Sequence, residues 1–455
     1  MKKTALINVV GLSKRVLGKH TPFLSKWATK KKVSSVNPVL PAVTCSVQST
    51  YLTGKWPNEH GIVGNGWFDK DDQEIKFWKQ SNLLVKSPSI WDNARNKNPE
   101  FTCANMFWWY NMYSSVDYAV TPRPQYRADG QKVPDCYSSP SSLRDRLQAE
   151  LGTFPLFHFW GPKTTIQSSQ WIADASKKVH EWHNPDLLLV YLPHLDYVLQ
   201  KYGHNERLLS KDLAEIDKVC EDLITYLESK GVEVSVISEY GITNIEKPIH
   251  VNRILREMDL LAIREENGLE LLDAGASKAF AVTDHQVSHI YLKDKNQLQV
   301  LKERFEAEKG IALVLDENGK KEHHIDHERS GDLVLVADDK SWFTYYFWED
   351  DNKAPDYARM VDIHKKPGYD PCEMLLDPKQ KLIIPKIIFK VLAKKLGFRM
   401  VMDVIPLDAT LIKGSHGAID LDDDDKAIFI GNHSETNNLE PTAIHDLILN
   451  QIFKD

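Results

Sequence analysis

Thr44 closes the Pro-bounded segment Pro41-Ala42-Val43 and is followed by Leu52-Thr53-Gly54 and then by His60-Gly61-Ile62-Val63-Gly64-Asn65-Gly66. One hydroxyl and one amide side chain are thus set among glycines, which let a backbone approach a tetrahedral anion closely. Thr44 also has a plainer reading, as the cap of a helix beginning at Cys45. The two are compatible, because a hydroxyl at a helix N-terminus sits where backbone N–H groups and the dipole hold phosphate oxygens.

Other candidate residues follow apolar runs. Asp196 comes just after Leu187 to Leu192, and if a helix starts there Asp196 and Gln200 share one face and can present two oxygens to one metal. Glu239 follows Val232 to Ile237, and His416 sits between glycines in Gly414-Ser415-His416-Gly417, where a structural turn competes with a site. In Phe107-Trp108-Trp109-Tyr110, Trp108 and Trp109 read either as a stacking wall for a planar group or as core. The cluster Glu322 to His327, dense in possible ligands, reads as a solvated surface turn, and Asp422 to Asp425 as an exposed turn without a spaced ligand loop.

These residues need a scaffold. Ala5 to Val10, Leu187 to Leu192, Val232 to Ile237 and Leu333 to Ala337 read as strands buried on both faces. Between them lie helical patterns such as Leu213, Ile216, Val219, Leu223 and Leu227. The alternation predicts an α/β fold with a mostly parallel central sheet flanked by helices. Ligands of such sheets bind beyond the carboxyl ends of the strands, where Asn8 to Gly11, Asp196 and Glu239-Tyr240-Gly241 fall. Shorter mixed segments from about residue 245 predict an inserted, smaller α+β subdomain over 245–330, between core parts 1–244 and 331–455.

The chain of 455 residues exceeds what one core usually fills, and its composition is that of an ordinary globular protein. A formal net charge of -7 argues against a nucleic-acid polymer as partner, while a phosphorylated small molecule stays compatible because metal ions can supply positive charge. The five cysteines form no C-x-x-C pair, so neither a disulfide framework nor a cysteine zinc site is expected. No apolar run is long enough for a membrane span. The start, Met1-Lys2-Lys3 followed by Thr4 to Leu12, reads as the first buried strand rather than a leader, and the protein as cytoplasmic.

Together, Pro41 to Thr44, Leu52-Thr53-Gly54, His60 to Asn65, Asp196 with Tyr202-Gly203, Glu239-Tyr240-Gly241 and Gly414 to Gly417 resemble, in the same order, the nucleotide pyrophosphatase/phosphodiesterase family of the alkaline phosphatase superfamily. The resemblance implies an alkaline phosphatase-like fold in which two divalent metals flank a nucleophilic hydroxyl. It matches Thr44 to the nucleophile, Asn65 to the amide holding a phosphoryl oxygen, and Asp196 and His416 to ligands of one metal. Zinc is the expected ion, with manganese or magnesium as alternatives.

Three departures matter. Val10 replaces an expected Asp, Glu239-Tyr240 an expected Asp-His, and Gln200 an expected His. Asp196, Gln200 and His416 can still form one site, with Gln200 giving a weaker carbonyl oxygen, whereas the other keeps only Thr44 and Glu239. Asn8, His250, His285 and His364 are candidate replacements, although Asp284-His285 also reads as a buried structural pair. The expected activity is metal-dependent hydrolysis of phosphodiester or pyrophosphate bonds through a phosphothreonine, with one or two ions. A catalytically inactive binder of a phosphorylated small molecule is the alternative, as is a hydrolase of phosphomonoesters, sulfates or phosphonates.

Overall fold

The computed structural model describes residues 1–128, 130–432 and 436–453. Its centre is a nine-stranded sheet. Thr4–Val9 lies in the middle, parallel to Leu187–Leu192 on one side and to Glu233–Ile237 on the other. The sheet continues in parallel through Cys103–Met106 and Tyr118–Pro122. Antiparallel strands enter towards the edges: Cys136–Ser139 pairs with Tyr118–Pro122, and Ala427–Gly431 pairs with Glu233–Ile237. Thr4–Val9 and Leu187–Leu192 are buried throughout, as expected of strands covered by helices on both faces. The Leu213 to Leu227 pattern forms part of the helix Glu206–Ser229, which turns Leu213, Ile216, Val219, Leu223 and Leu227 into the core.

A second, four-stranded antiparallel sheet joins Ala279–Asp284, Val287–Leu292, Leu333–Ala337 and Ile311–Leu315. Leu333–Ala337 is therefore a strand, but not of the main sheet, where its apolar run had placed it. It pairs antiparallel with Val287–Leu292, and both strands are buried along their length. The small sheet thus crosses the expected boundary at residue 330. Its core extends through Trp342, Tyr345, Tyr346 and Trp348 to Ile412 and takes in Phe68 and Phe77 from the first part of the chain.

Candidate active site

Thr44 is the first residue of the helix Thr44–Thr53, preceded by the extended residue Val43. Its hydroxyl does not cap that helix; Thr44 Oγ1 instead lies 3.0 Å from the phenol oxygen of Tyr240. All ten helix residues are buried even though many are polar. Their hydroxyls return to carbonyls of the preceding turn, Ser49 to Cys45 at 2.7 Å, Thr50 to Ser46 at 2.9 Å and Thr53 to Ser49 at 2.7 Å. A polar helix can then be buried without orphaned groups. Gly54 ends it in the left-handed conformation, at φ 66°, where a side chain would press on the ring of His445.

Asn65 is locked beside this N-terminus. Its Oδ1 accepts from the Cys45 amide at 2.9 Å, while its own N and Nδ2 donate to the two carboxylate oxygens of Asp284, at 2.8 and 3.1 Å. Asp284 also accepts from His285 Nδ1 at 2.8 Å, which leaves His285 Nε2 buried and without a partner. Burial pushes the Asp284 carboxyl up to about 6, against the pull of the Asn65 amide. Asp284-His285 copies the Asp-His pair missing at Glu239-Tyr240, and the fold brings it to the site from the turn between two strands of the small sheet. The pair is buried and hydrogen-bonded, and the His285 ring lies 3.7 Å from the His416 ring and 3.6 Å from that of Tyr369.

His416 donates from Nδ1 to the Ala42 carbonyl at 2.7 Å, so its Nε2 lone pair faces Asp196 Oδ1, 3.6 Å away. Burial holds both His285 and His416 well below the usual imidazole range, hence neutral. Asp196 Oδ1 accepts from Gln200 Nε2 at 3.0 Å, and Gln200 Oε1 accepts from the Tyr369 phenol at 2.9 Å. Burial raises the Asp196 carboxyl to about 7, partly offset by the Gln200 and Tyr240 donors. Tyr240 itself stacks on His416, with rings 3.6 Å apart.

Glu239 completes the buried cluster. Its Oε1 accepts from Asn8 Nδ2 at 2.6 Å and Gln48 Nε2 at 2.5 Å, while Oε2 is buried with no partner. Burial raises this carboxyl to about 8, against those two donors. Gln48 Oε1 in turn accepts from the Trp109 amide at 2.6 Å.

Three buried carboxyl groups and two neutral imidazoles, with no side-chain cation among the described residues hydrogen-bonded to them, make a donor set whose charged form a divalent ion would favour. Asp196, His416 and His285 offer the donor chemistry of one ion, since the two imidazoles keep Nε2 free and are oriented through Nδ1 by Ala42 and Asp284, the usual support for a metal-binding histidine, but their ligand atoms do not all lie within 4.8 Å of one another. Gln200 does not fit as well as expected, since its oxygen is engaged by Tyr369 and its nitrogen faces Asp196. The second ion of the resemblance does not fit: Val10 offers no donor, and the Tyr240 phenol is turned to Thr44. Among the described residues, the only His, Cys, Asp or Glu triad with ligand atoms mutually within 4.8 Å is His194, Asp212 and Glu215, which shares no residue with this set.

Not every candidate reaches the site. Trp108 is wholly buried in the main core and presents no face to a ligand. Trp109 is also packed, edge-on to Trp78, with its indole N–H donating to the Lys79 carbonyl at 2.9 Å. The aromatic surface near the metal-type residues is instead Tyr369, flanked by Trp78 and Trp160. Of the proposed replacements, Asn8 and His285 are present, whereas His250 bonds Thr344 and stacks on Tyr346 in the second unit, and His364 is exposed. Tyr369 and Gln48 were missed. The Pro367-Gly368-Tyr369 turn was the available signal, since a side chain at Gly368 would collide with Thr283 and Tyr345.

A mixed sheet flanked by helices, with Thr44 at a buried helix N-terminus beyond its strand ends, defines an α/β protein of the alkaline phosphatase superfamily. The family model of type I phosphodiesterase / nucleotide pyrophosphatase matches residues 4–370, and the chain belongs to that family. It stands thereby among the phosphodiesterase-like hydrolases. It is 22% identical over 385 residues to ectonucleotide pyrophosphatase/phosphodiesterase 2 of Saccharomyces cerevisiae, covering 79% of this chain and 68% of that protein. An uncharacterized pyrophosphatase/phosphodiesterase of Schizosaccharomyces pombe is 26% identical over 258 residues, 54% of this chain but only 42% of that one. Among solved structures, phosphonoacetate hydrolase from Sinorhizobium meliloti in complex with phosphonoacetate superposes with a TM-score of 0.64 at 15% identity, over 99% of this chain and 96% of that one. Murine ectonucleotide pyrophosphatase / phosphodiesterase 5, in an inactive form in complex with AMP, gives 0.57 at 13% identity, over 99% and 95%. Among the described residues no helix is long and apolar enough to cross a membrane.

Proposed function

We propose that the protein hydrolyses phosphodiester or pyrophosphate bonds of a phosphorylated small molecule, with Thr44 as nucleophile and one divalent ion, zinc before manganese or magnesium. The observation that carries this reading is that the Thr44 hydroxyl, at a helix N-terminus, is free of capping and lies against Tyr240, with Asn65 locked beside it. Thr44 Oγ1 attacks phosphorus, the bond to the leaving oxygen breaks, and water later cleaves the phosphothreonine. The Thr44 proton has a path, since its hydroxyl can donate to the Tyr240 oxygen and the phenol to Asp196 Oδ1, 3.5 Å away. The Cys45 N–H is taken by Asn65 Oδ1 and one Asn65 Nδ2 hydrogen by Asp284, so the second Nδ2 hydrogen is the one left to hold a phosphoryl oxygen. Asp196, His416 and His285 would hold the ion, which when bound stabilises negative charge on phosphoryl oxygens. Five free, buried cysteines support a reducing, cytoplasmic setting.

A second reading, a binder without turnover, is favoured by one observation: Tyr240 stacks on His416 and takes the place beside Thr44. The test is turnover of a chromogenic phosphodiester, and of a phosphomonoester, a sulfate and a phosphonate, with and without added zinc. Hydrolysis lost in Thr44→Ala, with AMP binding retained, supports the enzyme. No metal-dependent turnover of any class, with AMP still bound, leaves the binder.

A further inference from the structure

The helix Ile383–Lys395 is turned inside out. Ile383 and Ile387 lean on the second core, but Lys386 and Lys390 share that inward side and pair with Asp403, Lys386 Nζ at 2.9 Å from its Oδ2. The opposite face carries Ile384, Ile388 and Leu392 at successive turns, joined by Phe389, Leu396 and Phe398, and all six are between 54 and 77% exposed. No residue of this helix is fully buried. Surface helices of globular proteins place such residues inward, and a contiguous exposed apolar face of this kind marks an interaction surface.

Charge identifies what it meets. Between residues 381 and 402 there are six basic residues and no acidic one, in a chain whose formal net charge is -7. Lys386 and Lys390 are neutralised by Asp403, whereas no described carboxylate lies within ion-pair reach of Lys381, Lys394 or Lys395, and Arg399 donates to the Ala128 carbonyl. These cations run through the apolar stripe, Lys381 before it, Lys394 and Lys395 between Leu392 and Leu396, and Arg399 after Phe398. Apolar side chains flanked by long basic ones suit an anionic bilayer, where the former enter the acyl boundary and the latter reach the headgroups. A second copy of the chain is disfavoured, because a symmetric contact would set basic ends against basic ends with no acid in the segment to pair them.

We propose that residues 382–401 form an interfacial anchor that docks the protein reversibly on an anionic lipid surface. The segment has 13 helical residues and does not span the membrane. The proposal is independent of the chemistry at Thr44.

The experiment is co-sedimentation of the full chain with vesicles of phosphatidylcholine alone and of phosphatidylcholine with phosphatidylserine, at low and high salt. The expected result is binding at least about tenfold tighter to the anionic vesicles, weakened by salt. Lys394→Gln with Lys395→Gln should cost about tenfold or more of that preference, and Ile388→Ser with Phe389→Ser should abolish binding to both. All four positions are exposed, so unchanged circular dichroism and melting temperature keep the comparison interpretable. A folded wild type that ignores anionic vesicles overturns the proposal, as does equal binding by both variants. So does a concentration-dependent dimer that Ile388→Ser dissolves, which would give the face to a second copy.

Discussion

The phenol oxygen of Tyr240 lies 3.0 Å from Thr44 Oγ1, in the place where the family resemblance expects a metal-binding histidine. If the phenol relays the Thr44 proton towards Asp196, Tyr240→Phe should lower kcat for a phosphodiester by about 10²-fold and leave KM nearly unchanged. Steady-state kinetics decide the matter. An unchanged or higher kcat would make the phenol an obstruction, and Tyr240→His should then raise turnover further.

Asp284 holds Asn65 with one oxygen pair and orients His285 with the same carboxylate. Asp284→Asn should therefore weaken zinc binding by about 10- to 100-fold, the usual cost of losing a group that orients a metal-binding histidine. Chelator competition measures this, with His285→Ala as reference. Equal zinc affinity in wild type and both variants would remove His285 from the donor set.

His60 and His289 contribute to the loss of stability in acid. His60 accepts from the Ile62 amide at 3.1 Å and faces Thr50 Oγ1 at 3.0 Å; His289 accepts from the Gly331 amide at 3.1 Å and donates to the Val63 carbonyl at 3.0 Å. Each ring is thus neutral, and burial lowers their values to about 3 and about 4. Below about pH 6.5 the unfolded chain takes up protons that the native rings refuse, so their stabilisation is complete above that pH and lost as pH falls towards the folded values. Each should contribute a slope of about 1 kcal/mol per pH unit. Urea unfolding at pH 7.5 and 5.5 should show a flatter dependence for His60→Gln than for wild type; equal slopes would refute the assignment.

Asp135 is a hub near the edge of the main sheet. It accepts from Arg144 Nε and Nη2, both at 2.6 Å, from Gln125 at 2.6 Å, from Gln148 at 2.7 Å and from the Cys136 amide at 2.8 Å. Burial alone would raise its carboxyl, but Arg144 and the other donors outweigh it and bring it to about 2. Its stabilisation is therefore full above about pH 4 and fades as pH drops towards 2. Asp135→Ala should cost about 2 kcal/mol at pH 7, discounted from a fully buried pair because Arg144 is partly exposed. Thermal melts at pH 7 and pH 3 should show the gap narrowing in acid.

The residues at the ends of the main strands were legible in the sequence. Apolar runs flanked by helical periodicity imply parallel pairing, and strand ends converge on one edge, so Asn8, Asp196 and Glu239 were placed by pattern alone. Thr44 was legible as a hydroxyl at a helix start, but the sequence left open whether it caps the helix. Only the fold decided that, by bringing in Tyr240 from 196 residues away.

Periodicity reports how a segment is buried, not which segment it meets. Leu333–Ala337 has the composition of a main-sheet strand and pairs instead with Val287–Leu292. Trp108 follows a strand end yet turns into the core, and Asp284-His285 reaches Asn65 across 219 residues because the small sheet's turn docks there. The same limit hid the helix Ile383–Lys395, whose apolar and basic residues are plain in the sequence. Which of its faces is turned to solvent depends on Asp403 capturing two lysines, and only tertiary structure supplies that contact.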